Sequence, residues 1–379
     1  MTVIIFMAAL GFLSVLLFAL PKRAGELDPL EFRALANDPF RDKSASTLMT
    51  ELVRGDMSKN VDKFLEDHYP ARSFFIALNS YYLRFTGRNA DQAVVMGRNG
   101  RLFDKPLDPT SVYIEKNVSK INAFSGDNGL KTVIAVVPSA AETAKEDLPA
   151  VHLNYFDGDI VAAVREKTDA YVPDIAGMFN KRAGEYLMYR TDHHWTMAGA
   201  YEVYTDIMEH FGEEPVNRDG FKVESYEFYG SYYRKAGLWL TKPDALEVWT
   251  SPELDRLTTK IGWGERTATY SGVYDRGQLK DGNVDKYAAY LWSNNAITVI
   301  ENPEGNGKTV MLVKDSFGNS IAPLLALTYS RVVMIDTRYY NSPDLPLPSE
   351  LVTEFGIEEL IVVLGADSAV SDIMIAFLR

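Results

Sequence analysis

Two of the chain's five histidines stand side by side in the segment Asp-His-His-Trp, which covers residues 192–195. Asp192 and His194 are two residues apart, so in an extended segment their side chains point in the same direction. A carboxylate on one imidazole nitrogen holds the ring in one tautomer, which leaves the other nitrogen free to take a proton from a serine hydroxyl. The pair therefore predicts a general base, His194, and the residue that orients it, Asp192.

Ser316 has the position expected of the matching nucleophile. Asp315 and Ser316 follow the apolar run 309–314 and precede a helical pattern, and open α/β sheets hold their functional side chains at such strand ends. In that position the backbone N–H of Ser316 would face a developing oxyanion at the start of a helix. Asp192, His194 and Ser316 together predict acyl transfer through a serine, in the order Asp, His, Ser along the chain.

Other interpretations of these residues stay open at this point. An Asp-x-His pair is often structural or exposed, and residues 315–320 could form only a turn with capping hydroxyls. A metal site that used both His193 and His194 would need a third ligand, and adjacent side chains tend to point apart. We therefore expect neither a metal nor a cofactor, and we expect Trp195 to lie in the core or in a cleft wall.

The composition excludes several classes of site. The chain has 379 residues, a formal net charge of −13 and no cysteine. A chain without cysteine has no disulfides, thiolate nucleophiles, cysteine–zinc sites or iron–sulfur clusters. The acidic balance argues against general binding of nucleic acids or anionic lipids, although a local basic patch would be compatible with it.

The N-terminus is predicted to attach the chain to a membrane. Residues 1–20 carry no charged side chain, and such a run is long enough to span a hydrocarbon core of roughly 30 Å. No convincing cleavage site follows, so we interpret residues 1–23 as a transmembrane anchor or uncleaved signal rather than a removed signal peptide or a buried helix. Lys22 and Arg23 alone would favour the cytoplasmic side, and the opposite orientation is expected from the resemblance described below.

The elements that must position these residues follow from the apolar patterning. Continuous apolar runs predict strands buried on both faces, and runs with a helical rhythm predict amphipathic helices. The predicted strands are 132–138, 186–190, 309–314 and 359–365, with another ending near 336; the predicted helices are 111–124, 158–168, 197–212 and 368–378; and Asn99-Gly100 predicts a hairpin over 94–103. Strands that alternate with helices indicate an α/β fold with a mostly parallel sheet.

The remaining segments are predicted to surround that sheet. Residues 24–60 are interpreted as a polar tether with short helices, and residues 61–379 as the folded domain, in which Pro70 interrupts a helical pattern over 61–85. Residues 213–305 are rich in Tyr, Trp, Gly and Asp and have weak periodicity. We interpret them as an insertion of short strands and loops that forms one wall of a cleft.

The segment 191–200, Thr-Asp-His-His-Trp-Thr-Met-Ala-Gly-Ala, resembles the signature of the DHHW family of bacterial exported proteins. That family is similar to the SGNH-hydrolase-like proteins that O-acetylate alginate, whose motif is Asp-Thr-His-Trp before a helix that starts with small residues. The range 313–340 resembles the serine block of the same group, and further likeness lies at 64–75, 97–103, 230–237 and 285–295. The resemblance covers most of residues 60–365.

The resemblance implies an SGNH-hydrolase-like, flavodoxin-like three-layer α/β/α sandwich in which the serine block comes last along the chain. It implies Ser316 as nucleophile, His194 as general base and Asp192 as its orienting residue. Lys314 departs from the glycine that ordinary SGNH hydrolases have before Asp-Ser, and the other residues of their oxyanion hole have no clear counterpart. The candidates for oxyanion stabilisation or substrate contact are Asn319, Tyr229, Ser139, His193, Trp195 and Arg338, of which Arg338 is expected to form an ion pair inside the fold.

The function implied is that of a membrane-anchored O-acyltransferase. It would transfer an acyl group, expected to be acetyl, to hydroxyls of a cell-surface or secreted polysaccharide through an acyl-Ser316 intermediate. The expected location is the cell membrane, with a single span over residues 1–20, the catalytic domain outside the cytoplasm, and a membrane-bound O-acyltransferase partner that supplies the acyl group. Two alternatives remain: an esterase with the same triad and water as acceptor, and a non-catalytic polysaccharide-binding scaffold, which a Ser316–His194 separation above about 5 Å would favour.

Overall fold

The computed structural model of the chain describes residues 1–26, 34–90, 94–238, 240–283, 285–336, 338–340, 342–372 and 378. The chain divides into two compact units. The first comprises Met1–Ala93 and Tyr233–Thr241, and the second comprises Val94–Tyr232 and Lys242–Arg379. All of the residues that the sequence predicts to act in catalysis or substrate binding belong to the second unit.

The first unit begins with the helices α1 (Thr2–Ala19), α2 (Ala45–Arg54), α3 (Asp56–Asp67) and α4 (Arg72–Phe85). The Ser44 side chain accepts a hydrogen bond from Thr47 N–H at the start of α2, and Gly55 ends that helix in the left-handed conformation, with φ 75°. The predicted interruption at Pro70 is confirmed, since α3 ends before it and α4 begins after it.

The predicted transmembrane helix has no support in the structure. Helix α1 ends at Ala19, and within the described residues we find no helix that has both the length and the apolar character needed to cross a membrane. The expected location of the protein is not tested by this finding.

Strands and helices alternate along most of the second unit. The strands are β1 (Val95–Met96), β2 (Leu102–Phe103), β3 (Lys131–Val137), β4 (Lys222–Phe228), β5 (Asp244–Thr250), β6 (Thr258–Ile261), β7 (Ala268–Ser271), β8 (Ile297–Glu301), β9 (Thr309–Lys314), β10 (Arg331–Ile335) and β11 (Glu359–Gly365). The helices beyond residue 94 are α5 (Val112–Asn128), α6 (Ala140–Thr143), α7 (Asp157–Glu166), α8 (Ile175–Lys181), α9 (Met197–Phe211), α10 (Ser231–Ala236), α11 (Pro252–Arg256), α12 (Gly318–Thr328), α13 (Pro348–Phe355) and α14 (Ala366–Ala369).

Most of the predicted elements of this unit are confirmed, with small shifts at their ends. The predicted hairpin is the antiparallel pair β1–β2, and three predicted helices correspond to α5, α7 and α9. The predicted strands at 132–138, 309–314 and 359–365 are β3, β9 and β11. Of the predicted helix 368–378, residues 373–377 lie outside the described residues.

Seven of these strands form one sheet in the order β3-β11-β9-β10-β8-β6-β7. The strands β3, β11, β9 and β10 are parallel to one another, whereas β8, β6 and β7 pair in antiparallel fashion. The prediction of a mostly parallel sheet is therefore corrected to a mixed sheet. The physical reason is that residues 213–305 supply β8, which covers the open edge of β10, and antiparallel pairing there needs no helical crossover.

Helices cover both faces of this sheet. Alternate side chains of β9 point to opposite sides, so that Val310 and Leu312 pack on one face and Met311 and Val313 on the other. Buried side chains of α8, α9 and α12 pack on the first face, and those of α5, α7 and α13 on the second. The result is a three-layer α/β/α sandwich, in which the carboxyl ends of the four parallel strands open at one edge.

The predicted strand at 186–190 is not a strand in the structure. Its residues form an irregular segment that turns back on itself, with a β-bridge between Met188 and Trp195. Tyr189 N–H donates to the carbonyl of His194 at 3.1 Å. The apolar run is therefore buried by a tight reversal of the chain rather than by pairing within the sheet.

Two helices begin at residues that suit their position. Thr196 caps α9 by accepting a hydrogen bond from a backbone N–H of the first turn, and Gly212 ends that helix with φ 74°. Gly318 begins α12, where a Cβ would lie 2.9 Å from Lys314 Cγ. Glycine therefore allows α12 to start directly against β9.

Candidate active site

The structure brings Asp192, His194 and Ser316 into one hydrogen-bonded chain. His194 Nε2 lies 2.7 Å from Ser316 Oγ, and His194 Nδ1 lies 2.5 Å from Asp192 Oδ1. Asp192 and His194 are only 2% and 5% exposed, while Ser316 is half-buried. This is the order of contacts that a serine nucleophile, its general base and an orienting carboxylate require.

The imidazole of His194 is held between two aromatic rings. Tyr287 stacks on it, with centroids 3.9 Å apart and 9° between the planes, and Phe317 approaches edge-on at 5.0 Å. The Tyr287 hydroxyl lies 3.2 Å from both the Ser316 carbonyl oxygen and Ser320 Oγ. One tyrosine therefore positions both the His194 ring and the turn that carries Ser316.

The charges of the histidine and the aspartate suit these roles. Burial and, to a smaller extent, the neighbouring His193 lower the pKa of His194 to about 4, although Asp192 acts in the opposite direction. Burial raises the pKa of Asp192, but the two histidines and the hydrogen bonds from His194 and Ser231 outweigh that effect and hold this pKa well below its ordinary value. At neutral pH an ionised Asp192 thus faces a neutral imidazole, whose Nδ1 carries the proton and whose Nε2 can accept one from Ser316.

The carboxylate of Asp192 is fixed by a second segment of chain, Gly230-Ser231. Ser231 N–H donates to Asp192 Oδ2 at 2.7 Å, and Gly230 N–H donates to Thr191 Oγ1 at 3.0 Å. A Cβ on Gly230 would lie 2.6 Å from Asp192 Cα and closer still to its Cβ. The two segments therefore approach so closely that only glycine fits at position 230.

Asp315 fastens the turn that carries Ser316 to the end of β11. Its carboxylate accepts hydrogen bonds from Phe317 N–H at 2.9 Å and from Gly365 N–H and the Ser368 hydroxyl at 2.7 Å each. With three donors to its two oxygens, Asp315 holds this turn in shape.

The backbone N–H of Ser316 is the oxyanion donor that this geometry offers. It makes no hydrogen bond to any residue that the structure describes, and it lies just before α12, whose N-terminal dipole favours negative charge. Asn319, one of the candidates for oxyanion stabilisation, is buried, and its amide donates to Asn294 Oδ1 at 3.1 Å. Tyr229 is half-buried beside Gly230.

A buried network of charges lies next to the nucleophile turn. Lys314 Nζ lies 3.1 Å from Asp336 Oδ2 and 3.1 Å from Asn294 Oδ1. Arg338 donates to both oxygens of Asp336, from Nε at 2.9 Å and from Nη2 at 2.6 Å, so the ion pair expected for Arg338 is present. Burial raises the pKa of Asp336, but Arg338 and Lys314 outweigh it and keep this pKa below its ordinary value.

The other predicted residues surround the triad in different ways. Trp195 is fully buried and donates from Nε1 to Ser320 Oγ at 2.7 Å, so it packs in the core as expected. His193 is half-buried, with Nδ1 2.9 Å from Ser231 Oγ. Ser139 follows β3 and lines a small cavity together with His193.

Asp192, His193 and His194 also offer one potential metal-ligand atom each, all within 4.8 Å of one another. Donor atoms that share a tetrahedral ion at about 2.0–2.2 Å stand roughly 3 Å or more apart. His194 Nδ1 and Asp192 Oδ1 are 2.5 Å apart, which is the spacing of a short hydrogen bond. The geometry therefore favours the acid–base interpretation of these residues.

The sequence patterns missed two residues that support the triad, namely Tyr287 and Ser231, and they did not indicate that Gly230 contacts Asp192. Their local periodicity is weak and their types are ordinary. The available signal is that they lie within 230–237 and 285–295, two segments that take part in the family resemblance.

Two models of known protein families match overlapping parts of the chain. The model of the DHHW protein family matches residues 162–335, and the model of the SGNH hydrolase-like domain of the acetyltransferase AlgX matches residues 94–229. The resemblance inferred from the sequence motifs is confirmed by these matches. No curated protein sequence gives a significant match.

Solved structures share the fold. A DHHW family protein from Eubacterium siraeum DSM 15702 has a TM-score of 0.62 at 19% identity, over 74% of this chain and 96% of that one. PatB1 from Bacillus cereus has a TM-score of 0.60 at 20% identity, over 75% of this chain and 99% of that one. A structure of PatB1 with a sulfonyl adduct gives 0.60 at 18% identity, with coverages of 76% and 100%. At these identities the likeness shows a common α/β fold.

Proposed function

We propose that this chain is a serine-dependent O-acyltransferase that moves acetyl groups onto hydroxyls of a cell-surface or secreted polysaccharide. The observation that carries the proposal is the continuous hydrogen-bond chain Asp192–His194–Ser316, with spacings of 2.5 Å and 2.7 Å. The match of residues 94–229 to an acetyltransferase domain supports acetyl as the transferred group. The short Ser316–His194 distance argues against a non-catalytic scaffold, in which these residues would have no reason to stay in contact.

The first half of the reaction would acylate the serine. Ser316 Oγ attacks the carbonyl carbon of the acyl donor while His194 Nε2 takes the hydroxyl proton. The backbone N–H of Ser316 donates to the oxyanion that forms. The intermediate then collapses, the bond to the leaving group breaks, and that group takes the proton from His194, which leaves an acetyl ester on Ser316.

The second half would deliver the acetyl group. A sugar hydroxyl gives its proton to His194 Nε2 as its oxygen attacks the acetyl carbonyl, and the proton passes to Ser316 Oγ when the serine ester breaks. Water in place of the sugar would give acetate, which is the esterase alternative. The two activities share acetyl-Ser316 and differ only in the second acceptor.

The proposed working location is outside the cytoplasm, with attachment through residues 1–20 and a membrane-bound O-acyltransferase as the source of acetyl groups. The charge-free start of the chain and the resemblance to exported proteins support this location. Alkaline phosphatase fused to the C-terminus tests it, because that reporter needs disulfides that form outside the cytoplasm. An active fusion is expected, and an inactive but intact fusion would contradict the location.

The activity itself is tested on the purified full-length chain with p-nitrophenyl acetate and a sugar oligomer. Nitrophenol release and the mass of the sugar are followed together. We expect wild type to release nitrophenol and acetylate the sugar, Ser316→Ala to do neither, and Ser349→Ala, a control on α13 at the opposite face of the sheet, to match wild type. Acetate without acetylated sugar would favour the esterase, and unchanged release by Ser316→Ala would refute the serine mechanism.

A sulfonyl fluoride gives an independent test of the nucleophile. Such reagents modify serines that a neighbouring base activates, and one PatB1 structure contains a sulfonyl adduct. We expect intact-mass and peptide analysis to find the sulfonyl group on Ser316 of wild type and much less of it in His194→Ala. Equal labelling of the two proteins would show that His194 does not activate Ser316.

A further inference from the structure

A small cavity adjoins the triad on the side of His193. Two of its walls, His193 and Phe317, are the chain neighbours of His194 and Ser316. The space amounts to about 20 Å³, which is enough for one water-sized group. The cavity therefore lies where an acceptor bound next to the nucleophile would extend one of its substituents.

Two polar groups in this cavity lack a hydrogen-bond partner among the described residues. Asp157 is 1% exposed, and its Oδ1 accepts from Ser139 N–H at 2.7 Å, but its Oδ2 is unpartnered. The hydroxyl of Ser139 is likewise buried and unpartnered. Leaving a buried carboxylate oxygen without a donor costs stability, so these atoms indicate a site for a donor group from outside the chain.

Negative charge predominates around this space. Asp104, Asp157 and Asp367 line it, opposed by Lys105. The Asp367 carboxylate folds back over Gly365, where an added Cβ would collide with its Oδ1. Burial raises the pKa of Asp157, and the contribution of Ser139 offsets only part of that shift.

We propose that this cavity is a subsite for the acceptor sugar and that it selects neutral and amino sugars over uronates. A hydroxyl or amine of the sugar donates to Asp157 Oδ2 and accepts from the Ser139 hydroxyl, which satisfies both unpartnered atoms. Asp367 and His193 contact the part of the sugar nearer the triad. This inference rests on the proposed function, because it names the class of acceptor for that reaction.

The selection follows from the chemistry of the lining. An ionised uronate carboxylate has no proton to donate to Asp157, and it would stand close to the charge of Asp367. A uronate carboxylate in this cavity would be closer to the Asp367 carboxylate than the screening length of about 8 Å at physiological salt, so the two negative charges would repel each other. Among the described lining residues, Lys105 and His193 are those that can carry positive charge, and Lys105 is exposed.

The experiment measures acetyl transfer by the full-length chain to three oligomers: N-acetylglucosamine, glucosamine and mannuronate. Variants are Asp157→Asn, Ser139→Ala and Asp367→Asn, with Asp159→Asn as a matched control on the exposed side of α7. For the neutral oligomer we expect the acceptor KM to rise about tenfold in Asp157→Asn and less in Ser139→Ala, since each loses one hydrogen bond. The control should match wild type.

The charge of the acceptor is the second readout. For wild type, kcat/KM for the neutral and amino oligomers should be at least about tenfold higher than kcat/KM for mannuronate. Asp367→Asn should reduce this ratio. Equal or better use of mannuronate, or an acceptor KM in Asp157→Asn equal to that in Asp159→Asn, would overturn the inference. If circular dichroism shows that Asp157→Asn is unfolded, Ser139→Ala and Asp367→Asn decide the question by the same criteria.

Failure of the inference is distinguishable from failure of the proposed function. If wild type acetylates all three oligomers equally and Ser316→Ala acetylates none, the transferase stands and the acceptor subsite is wrong. If no oligomer gains acetyl groups while nitrophenol release depends on Ser316, the chain is an esterase and both proposals fail as stated.

Discussion

Replacing Gly230 with alanine is predicted to move the Gly230-Ser231 segment away from Asp192, whose carboxylate that segment holds in place. The new Cβ would lie 2.5 Å from the Thr191 carbonyl oxygen and 2.6 Å from Asp192 Cα. Non-bonded carbon atoms rest at about 3.5–4.0 Å, so the Gly230-Ser231 segment would have to move by about 1 Å. The atoms opposite are backbone, or the Cβ attached to it, and cannot move aside as the end of a flexible side chain would.

The size of the effect follows from the contacts that this movement breaks. Ser231 N–H donates to the Asp192 carboxylate at 2.7 Å, and a hydrogen bond to a charged group contributes about 1.5–3 kcal/mol. Gly230 N–H donates to the Thr191 hydroxyl at 3.0 Å, which contributes about 1 kcal/mol. We expect the free energy of unfolding to fall by about 3 kcal/mol. Because a 1 Å displacement of an orienting group can cost about 10²-fold in rate, kcat should fall by a similar factor.

Urea unfolding and the steady-state kinetics of p-nitrophenyl acetate release measure the two effects. Gly220→Ala is the matched control, since a Cβ on Gly220 would meet nothing within 4 Å and its backbone is not left-handed. If Gly230→Ala has the same unfolding free energy and kcat as Gly220→Ala, the close approach of the two segments does not support Asp192, and the reasoning is wrong.

Three further predictions concern the groups around the triad. Because burial lowers the pKa of His194 to about 4, the rate of ester cleavage should be independent of pH down to about pH 5 and should fall below it. In the unfolded chain a histidine has a pKa of about 6.5, so the unfolded state binds a proton first as the pH falls. Urea unfolding should therefore show that the free energy of unfolding decreases between about pH 6.5 and pH 4. Tyr287→Phe keeps the ring on His194 and should lower kcat a few-fold, whereas Tyr287→Leu removes the stack and should lower it by a factor of tens, measured with the same ester. Asp336→Asn leaves Lys314 buried without its carboxylate and should reduce the unfolding free energy by about 3–5 kcal/mol, while Lys314→Met, which leaves Asp336 paired with Arg338, should cost less.

The parts of the fold that could be predicted are those set by short-range patterns. The apolar runs of β3, β9 and β11 are buried on both faces, so composition alone marks them. Helix α9 has an N-cap at Thr196 and a stop at Gly212, both visible as residue types in the sequence. Ser316 lies at a strand-to-helix turn, and the turn is recognisable because both neighbouring elements are.

The parts that could not be predicted depend on long-range approach. The run 186–190 is apolar enough for a strand, but it is buried by folding back on the segment that holds His194. Gly230 and Tyr287 could not be identified for the same reason. Gly230 contacts Asp192, which is 38 positions away in the chain, and Tyr287 contacts His194, which is 93 positions away. A glycine in a weakly periodic segment predicts a turn; only the folded chain shows that this one adjoins Asp192.

Lys314 stands where ordinary SGNH hydrolases have a glycine before Asp-Ser, and the surrounding residues accommodate its longer, charged side chain. A long charged side chain at the end of β9 needs both space and a counter-charge. Gly318 provides the space, since any Cβ there would overlap the Lys314 side chain. Asp336 provides the charge at 3.1 Å and is itself held by Arg338 at 2.6 Å. Because Nζ donates to this network and not to Ser316, the buried lysine braces the turn that carries Ser316.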